Sequence, residues 1–352
     1  MRRLSFVFAV LLGTAVTEQR AEAQNLTLSL FERYLESFRV EAGIPGVSAA
    51  ILQNGVVVWE RGLGRQNVET QTPATPDTPY LIGGISQAFG ATLLLRKCLD
   101  QSHAELTDSV RRWLPLYPDG TTTLGQLLSH TAPGGNGYDY APDRFATLAR
   151  VVEACTNLPY RVLLASEILD RLAMLNSAPD QLLGSPTASD RVEFDPGHLA
   201  RYGAVVDELA VSYRVVGGRA VPNTDLLPQR LDGSDGIISS VRDLARFDAA
   251  LGSDVLLWPP TRNLAWTQQF AGAIPLPTGL GWFVQNYHSE PIVWQFGSSP
   301  GSHSSLIVKA PNRGLTLILL ANSDGLVAPF ALETGDVTAS LFARLFLRLF
   351  VP

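Results

Sequence analysis

The stretch that most constrains this chain runs from Thr78 to Leu95, TPYLIGGISQAFGATLLL. An extended lead-in gives way to a long apolar run with no glycine or proline after Gly90, which predicts a buried helix. Gly84 and Gln87, three residues apart, share a face near the helix start. A serine and a lysine at that spacing would make an activated nucleophile, because a hydroxyl needs an adjacent base at neutral pH. Glycine has no side chain and a glutamine amide takes no proton. Ser86 lies about 200° around the helix from Gly84 and reads as a packed helix serine.

The rest of the composition is that of a globular protein: 352 residues, 46% hydrophobic, 17% charged and a net charge of -6. The acidic balance argues against nucleic acid as the main partner, and the histidines show no metal-ligand spacing, so neither a metal nor another cofactor is expected. Arg2 and Arg3 precede an apolar run from Leu4 to Val16, and Ala21-Glu22-Ala23 supplies a cleavage site. Residues 1–23 therefore read as a signal peptide and 24–352 as an exported, periplasmic or extracellular chain. The apolar run is shorter than the ~20 residues a membrane span needs, so no stable anchor is expected after cleavage. Whether Cys98 and Cys155 pair is left open; two buried thiols are at least as good a reading. The oligomeric state is open too.

Helical spacing of Leu28, Leu30, Phe31, Tyr34, Leu35 and Phe38 predicts a first helix, stopped by Gly43-Ile44-Pro45-Gly46. Two strand-like runs then flank Asn54-Gly55, a strong hairpin signal. Residues 143–173 are helix-rich, 180–223 look looser, and 236–247 read as a return into the sheet region through a serine-capped helix. Four strand-like runs between Gly281 and Ala321 predict an antiparallel meander, and a final helix over 337–351 would pack on it. The expected fold is α+β: an antiparallel sheet flanked by helices (about 24–109 and 235–352) with an inserted all-helical subdomain (about 110–234).

Tyr80-Leu81-Ile82-Gly83-Gly84-Ile85-Ser86-Gln87 and Leu127-Leu128-Ser129-His130-Thr131 resemble the serine β-lactamase-like family, which includes class C β-lactamases, D-Ala-D-Ala peptidases and esterases. The resemblance covers about residues 28–350. It places the nucleophile position at Gly84 and the base at Gln87. The Tyr-x-Asn loop falls on Tyr140-Ala141-Pro142, where proline removes the asparagine contact; Tyr202-Gly203-Ala204 is the second-ranked register. The Lys-Thr-Gly strand element falls on Gln295-Phe296-Gly297, with its cation gone. Backbone N–H groups of Gly84 and Ser298 would form the oxyanion hole. For Ser129 and His130 a helix end with satisfied polar groups is favoured over a catalytic pair, because adjacent helix residues point apart. The resemblance thus implies a pseudoenzyme that holds a small-molecule or cell-wall peptide ligand through Gly84, Tyr140, Gln295, Gly297 and Ser298, with a residual hydrolase using another nucleophile as the alternative.

Overall fold

The computed structural model describes residues 25–227 and 229–352, so the expected signal peptide lies outside it. Residues 25–41 form the first helix, with Leu28, Phe31 and Leu35 buried along one stripe. Strands Gly46–Gln53 and Val56–Asn67 follow, joined at Asn54 and Gly55. Both turn residues take positive φ, 52° and 76°. A two-residue turn needs this to match the twist of its strands, and asparagine and glycine accept it at least cost.

A seven-stranded antiparallel sheet forms from both ends of the chain. Its spatial order is Phe283–Tyr287, Glu290–Ser299, His303–Ala310, Leu315–Ala321, Gly46–Gln53, Val56–Asn67 and Thr72–Pro73. Side chains alternate between two cores, as period-2 geometry requires. Val47, Ala49, Ile51, Leu317 and Leu319 face one core, together with Phe342 and Phe346 of helix Leu341–Phe350. Ala50, Leu52, Ile318 and Leu320 face the other, beneath the central helix. Covered on both faces, these strands read in sequence as near-continuous apolar runs.

The central helix, Ser86–Leu94, is buried at every residue. Phe89 stacks on Phe247 of helix Val241–Gly252 at 3.8 Å between ring centroids. A wider turn, Leu95–Leu99, extends the helix and brings Cys98 to Cys155 of helix Leu148–Thr156. The two cysteines form a disulfide, with Cα atoms 6.2 Å apart. This answers the question the sequence left open: Cys98 is buried and Cys155 half-buried, and only the crossing of the two helices sets their separation.

Two expectations are corrected. The stretch 180–223 is more ordered than its glycine and proline content predicts. It holds helix Pro196–Asp207, started by the Asp195 side chain, which accepts from the N–H of Gly197 and His198, and a hairpin of Tyr213–Val216 and Arg219–Pro222. The C-terminal helix starts later than 337, because the Ser340 side chain caps it by accepting from Ala343 N–H and a separate 3-10 turn occupies Val337–Ala339.

Candidate functional site

Gly83–Ile85 form a single 3-10 turn that leads into the central helix and lies against strand Glu290–Ser299. The approach is too close for side chains. A Cβ added at Gly84 would stand 2.6 Å from the Phe296 carbonyl oxygen, 3.3 Å from the Tyr140 hydroxyl and 3.6 Å from Gly297 Cα. A Cβ on Gly297 would meet Ile82 O at 2.3 Å and Gly84 N at 2.6 Å. A Cβ on Gly83, which takes φ 52°, would stand 3.0 Å from Gly297 Cα and 3.1 Å from Ser298 N. Backbone fills the space where a side chain at position 84 would begin.

One turn along the helix, Gln87 is fully buried and takes part in three hydrogen bonds through its amide. Its Oε1 lies 2.9 Å from His130 Nε2 and accepts from Gln295 Nε2 at 3.4 Å; its Nε2 donates to the Tyr140 hydroxyl at 3.2 Å. The Ala141 N–H donates to His130 Nδ1 at 3.2 Å. That bond leaves Nδ1 without a proton, so the proton sits on Nε2 and is donated to Gln87. Gln295 is 1% exposed, donates to Gly281 O at 3.1 Å and accepts from Phe296 N–H at 2.9 Å. Every polar atom of this amide and imidazole chain has a partner, and none carries a charge.

The electrostatics agree with that pattern. Burial, helped by the Arg144 guanidinium, pushes the His130 pKa down to about 3. Burial holds the Tyr140 hydroxyl well above the ordinary phenol range, against the opposing hydrogen bond from Gln87. Tyr140 is therefore a neutral donor or acceptor at neutral pH, its ring packed against Phe296 and Phe283 at 5.5 and 5.9 Å.

The structure thus brings Gly84, Gln87, Tyr140, Gln295, Gly297 and Ser298 to one place. Tyr140 stands just ahead of helix Pro142–Ala146, whose first position takes Pro142, where a missing N–H costs nothing. Tyr202 is elsewhere, buried against Phe194 at 5.5 Å. Ser86 is fully buried. Ser129 bonds Gly125 O at 2.8 Å and faces away from His130, so the two form no pair.

Sequence reasoning missed His130 as a member of the site. The Thr123 and Gln126 capping box starts helix Leu124–Leu128, and two residues past its end His130 takes φ 52°. That left-handed residue swings the imidazole onto Gln87; the capping box was legible, the positive φ was not. Among the described residues, no group of three or more His, Cys, Asp or Glu side chains is arranged to hold a metal ion. A cavity of about 880 Å³ lies away from Gly84, against Trp113, Tyr117 and Arg150.

An antiparallel sheet with helices on both faces, a buried central helix and a site where that helix meets a strand edge defines the β-lactamase and transpeptidase class of fold. The chain belongs to the Beta-lactamase family, which it matches over residues 30–338. It is 24% identical over 267 residues to PbpX of Bacillus subtilis (strain 168), by its name a penicillin-binding protein, covering 67% of this chain and 61% of that one. The chain thus spans about three-fifths of that relative. Among solved structures it resembles the octameric penicillin-binding protein homologue from Pyrococcus abyssi, with a TM-score of 0.69 at 21% identity over 85% of this chain and 74% of that chain. The D-alanine carboxypeptidase AmpC from Burkholderia cenocepacia also has a TM-score of 0.69, at 18% identity over 91% and 99% of the two chains.

Proposed function

We propose that this chain is an exported, non-acylating member of its family that binds a carbonyl-bearing small molecule or cell-wall peptide in the former active-site cleft. The observation that carries the reading is the uncharged, internally satisfied chain His130, Gln87, Tyr140 and Gln295, beside a glycine whose side-chain space is filled by backbone. Acyl transfer needs a nucleophile and a base, and this arrangement holds neither. Backbone N–H groups at Gly84 and Ser298 do not depend on side chains, so a carbonyl oxygen has donors to meet.

The alternative, a residual hydrolase with another nucleophile, finds no support in the nearby serines. Ser302 Oγ bonds Ser212 and His303 while 1% exposed, and Ser304 Oγ donates to Ser323 O. Among the described residues, Ser298 and Ser299 have no side-chain hydrogen bond to a histidine or lysine. Export is supported by the Cys98–Cys155 disulfide, since such bonds persist in oxidising compartments. The test is incubation of the mature protein with a fluorescent penicillin: intact mass without an adduct supports the reading, and a stoichiometric adduct mapped to any serine ends it.

A further inference from the structure

Resting on that binding reading, we propose that Asp235 makes the cleft selective for ligands that carry a free ammonium group beside the bound carbonyl. The placement follows from strand register. Tyr80 pairs with Ser239 and Leu81 with Ile238, antiparallel, and Ile82 N–H continues the ladder to Ile237 O at 3.0 Å. Asp235 lies two residues before Ile237, and Gly84 two residues after Ile82, so the last bond of the ladder anchors both ends in one neighbourhood; the Asp235 charge acts on Tyr140, whose hydroxyl stands 3.3 Å from a Cβ built on Gly84. The preceding loop is held from two further sides. Gly233 N–H donates to Ala146 O at 3.4 Å, and a Cβ on Gly90 of the central helix would meet Gly233 O at 2.8 Å.

The Asp235 side chain is half-buried and firmly held. Gly236 N–H donates to its Oδ1 at 2.6 Å. The Gln229 amide, with its nitrogen turned to the carboxylate, donates to Oδ1 and Oδ2 at 3.1 and 3.2 Å. The Asp235 N–H donates to Asp232 Oδ1 at 3.0 Å, which fixes the turn. What this carboxylate lacks is a cation: among the described residues no arginine, lysine or histidine forms an ion pair with it. Burial and the Asp232 charge push its pKa up to about 6, against the bond from Gly236. Its charge, with that of Glu333, reaches Tyr140 and helps hold that hydroxyl protonated.

The polarity of the cleft follows. At positions 87 and 295, where the family resemblance expects cations, this chain has neutral amides, and His130 is neutral as well. Arg144, the nearby cation that acts on His130, is held by Thr131 O at 2.9 Å and Asp139 at 3.0 Å. A ligand carboxylate meets neutral groups at Gln87, His130 and Gln295, whereas an ammonium meets a partly desolvated carboxylate that, among the described residues, has no ion-pair partner. Charge-assisted bonds of that kind are roughly twice as strong as neutral ones.

The test compares alanine amide with N-acetylalanine amide, matched in carbonyl and differing in charge, by calorimetric titration of the intact mature protein at pH 7.5. The expected result is at least tenfold tighter binding of the free amine, and loss of that preference in Asp235→Asn. Melting of the variant checks that it folds. Equal binding of the two probes overturns the ammonium selectivity and leaves the cleft reading standing. Preference that persists in Asp235→Asn overturns the assignment to this residue. Binding of neither probe overturns both.

Discussion

His130 Nε2 donates to Gln87 Oε1 across 2.9 Å, a bond between two side chains 43 residues apart that fixes the tautomer of the one and the amide orientation of the other. The acceptor is where the family resemblance puts a base. Because the same amide oxygen also accepts from Gln295, the three elements that carry the site are tied together by neutral groups.

Absence of acylation is expected under forcing conditions as well. Millimolar penicillin for hours should leave the mass unchanged, because positioning alone has no oxygen nucleophile to act on. A slow adduct that disappears in Ser298→Ala would show that the strand edge supplies one.

Restoring the missing pair should not restore chemistry. Gly84→Ser places a Cβ against the backbone oxygen of Phe296, and overpacking of this kind costs about 1–3 kcal/mol. Gln87→Lys removes the acceptor of His130 and buries an ammonium among neutral partners, which costs more. The double variant should melt below wild type and hydrolyse p-nitrophenyl acetate no faster than either single variant. Faster hydrolysis would mean the backbone at position 84 opens to admit the side chain.

Stability should rise with pH through the acid range because of His130. Its pKa is about 3 when folded and about 6.5 when unfolded, so the unfolded chain binds more protons between those values. The contribution, of order 3–5 kcal/mol, is fully present above about pH 6.5 and lost as pH falls toward 3. His303, lowered to about 4 by burial, adds the same sign, so the informative quantity is a difference. His130→Asn, which tolerates the left-handed backbone, should flatten denaturant-measured stability between pH 6.5 and 4. Asp235 works in the opposite sense: with its pKa raised to about 6, its contribution is present below about 3.8 and lost as pH rises through 6. Asp235→Asn should therefore steepen the same curve; an unchanged slope in either variant would contradict the assigned ionisation.

Reduction of Cys98–Cys155 should destabilise the helical side. The bond spans 57 residues of sequence, for which chain entropy gives about 4 kcal/mol. Thermal melts with and without a phosphine reductant, and of Cys98→Ala with Cys155→Ala, should agree in the size of the loss. No change would place the stability of these helices in their packing alone.

Much of the architecture was legible in the sequence because it rests on local physics. Asn54-Gly55 fixes a hairpin by backbone preference, the apolar runs between 281 and 321 need two covering layers, and glycine and glutamine at 84 and 87 lack a nucleophile and a base by residue type alone. The family pattern also located Tyr140 and Gln295. What tertiary structure decided depends on distances between segments. The pairing of Cys98 with Cys155 follows from a helix crossing, the entry of His130 from one left-handed residue, and the place of Asp235 from strand register beyond Ile82. The filled space at Gly84 is of the same kind: a glycine in a sequence reads as a missing side chain, and only the carbonyl of Phe296, 212 residues away along the chain, shows that none would fit.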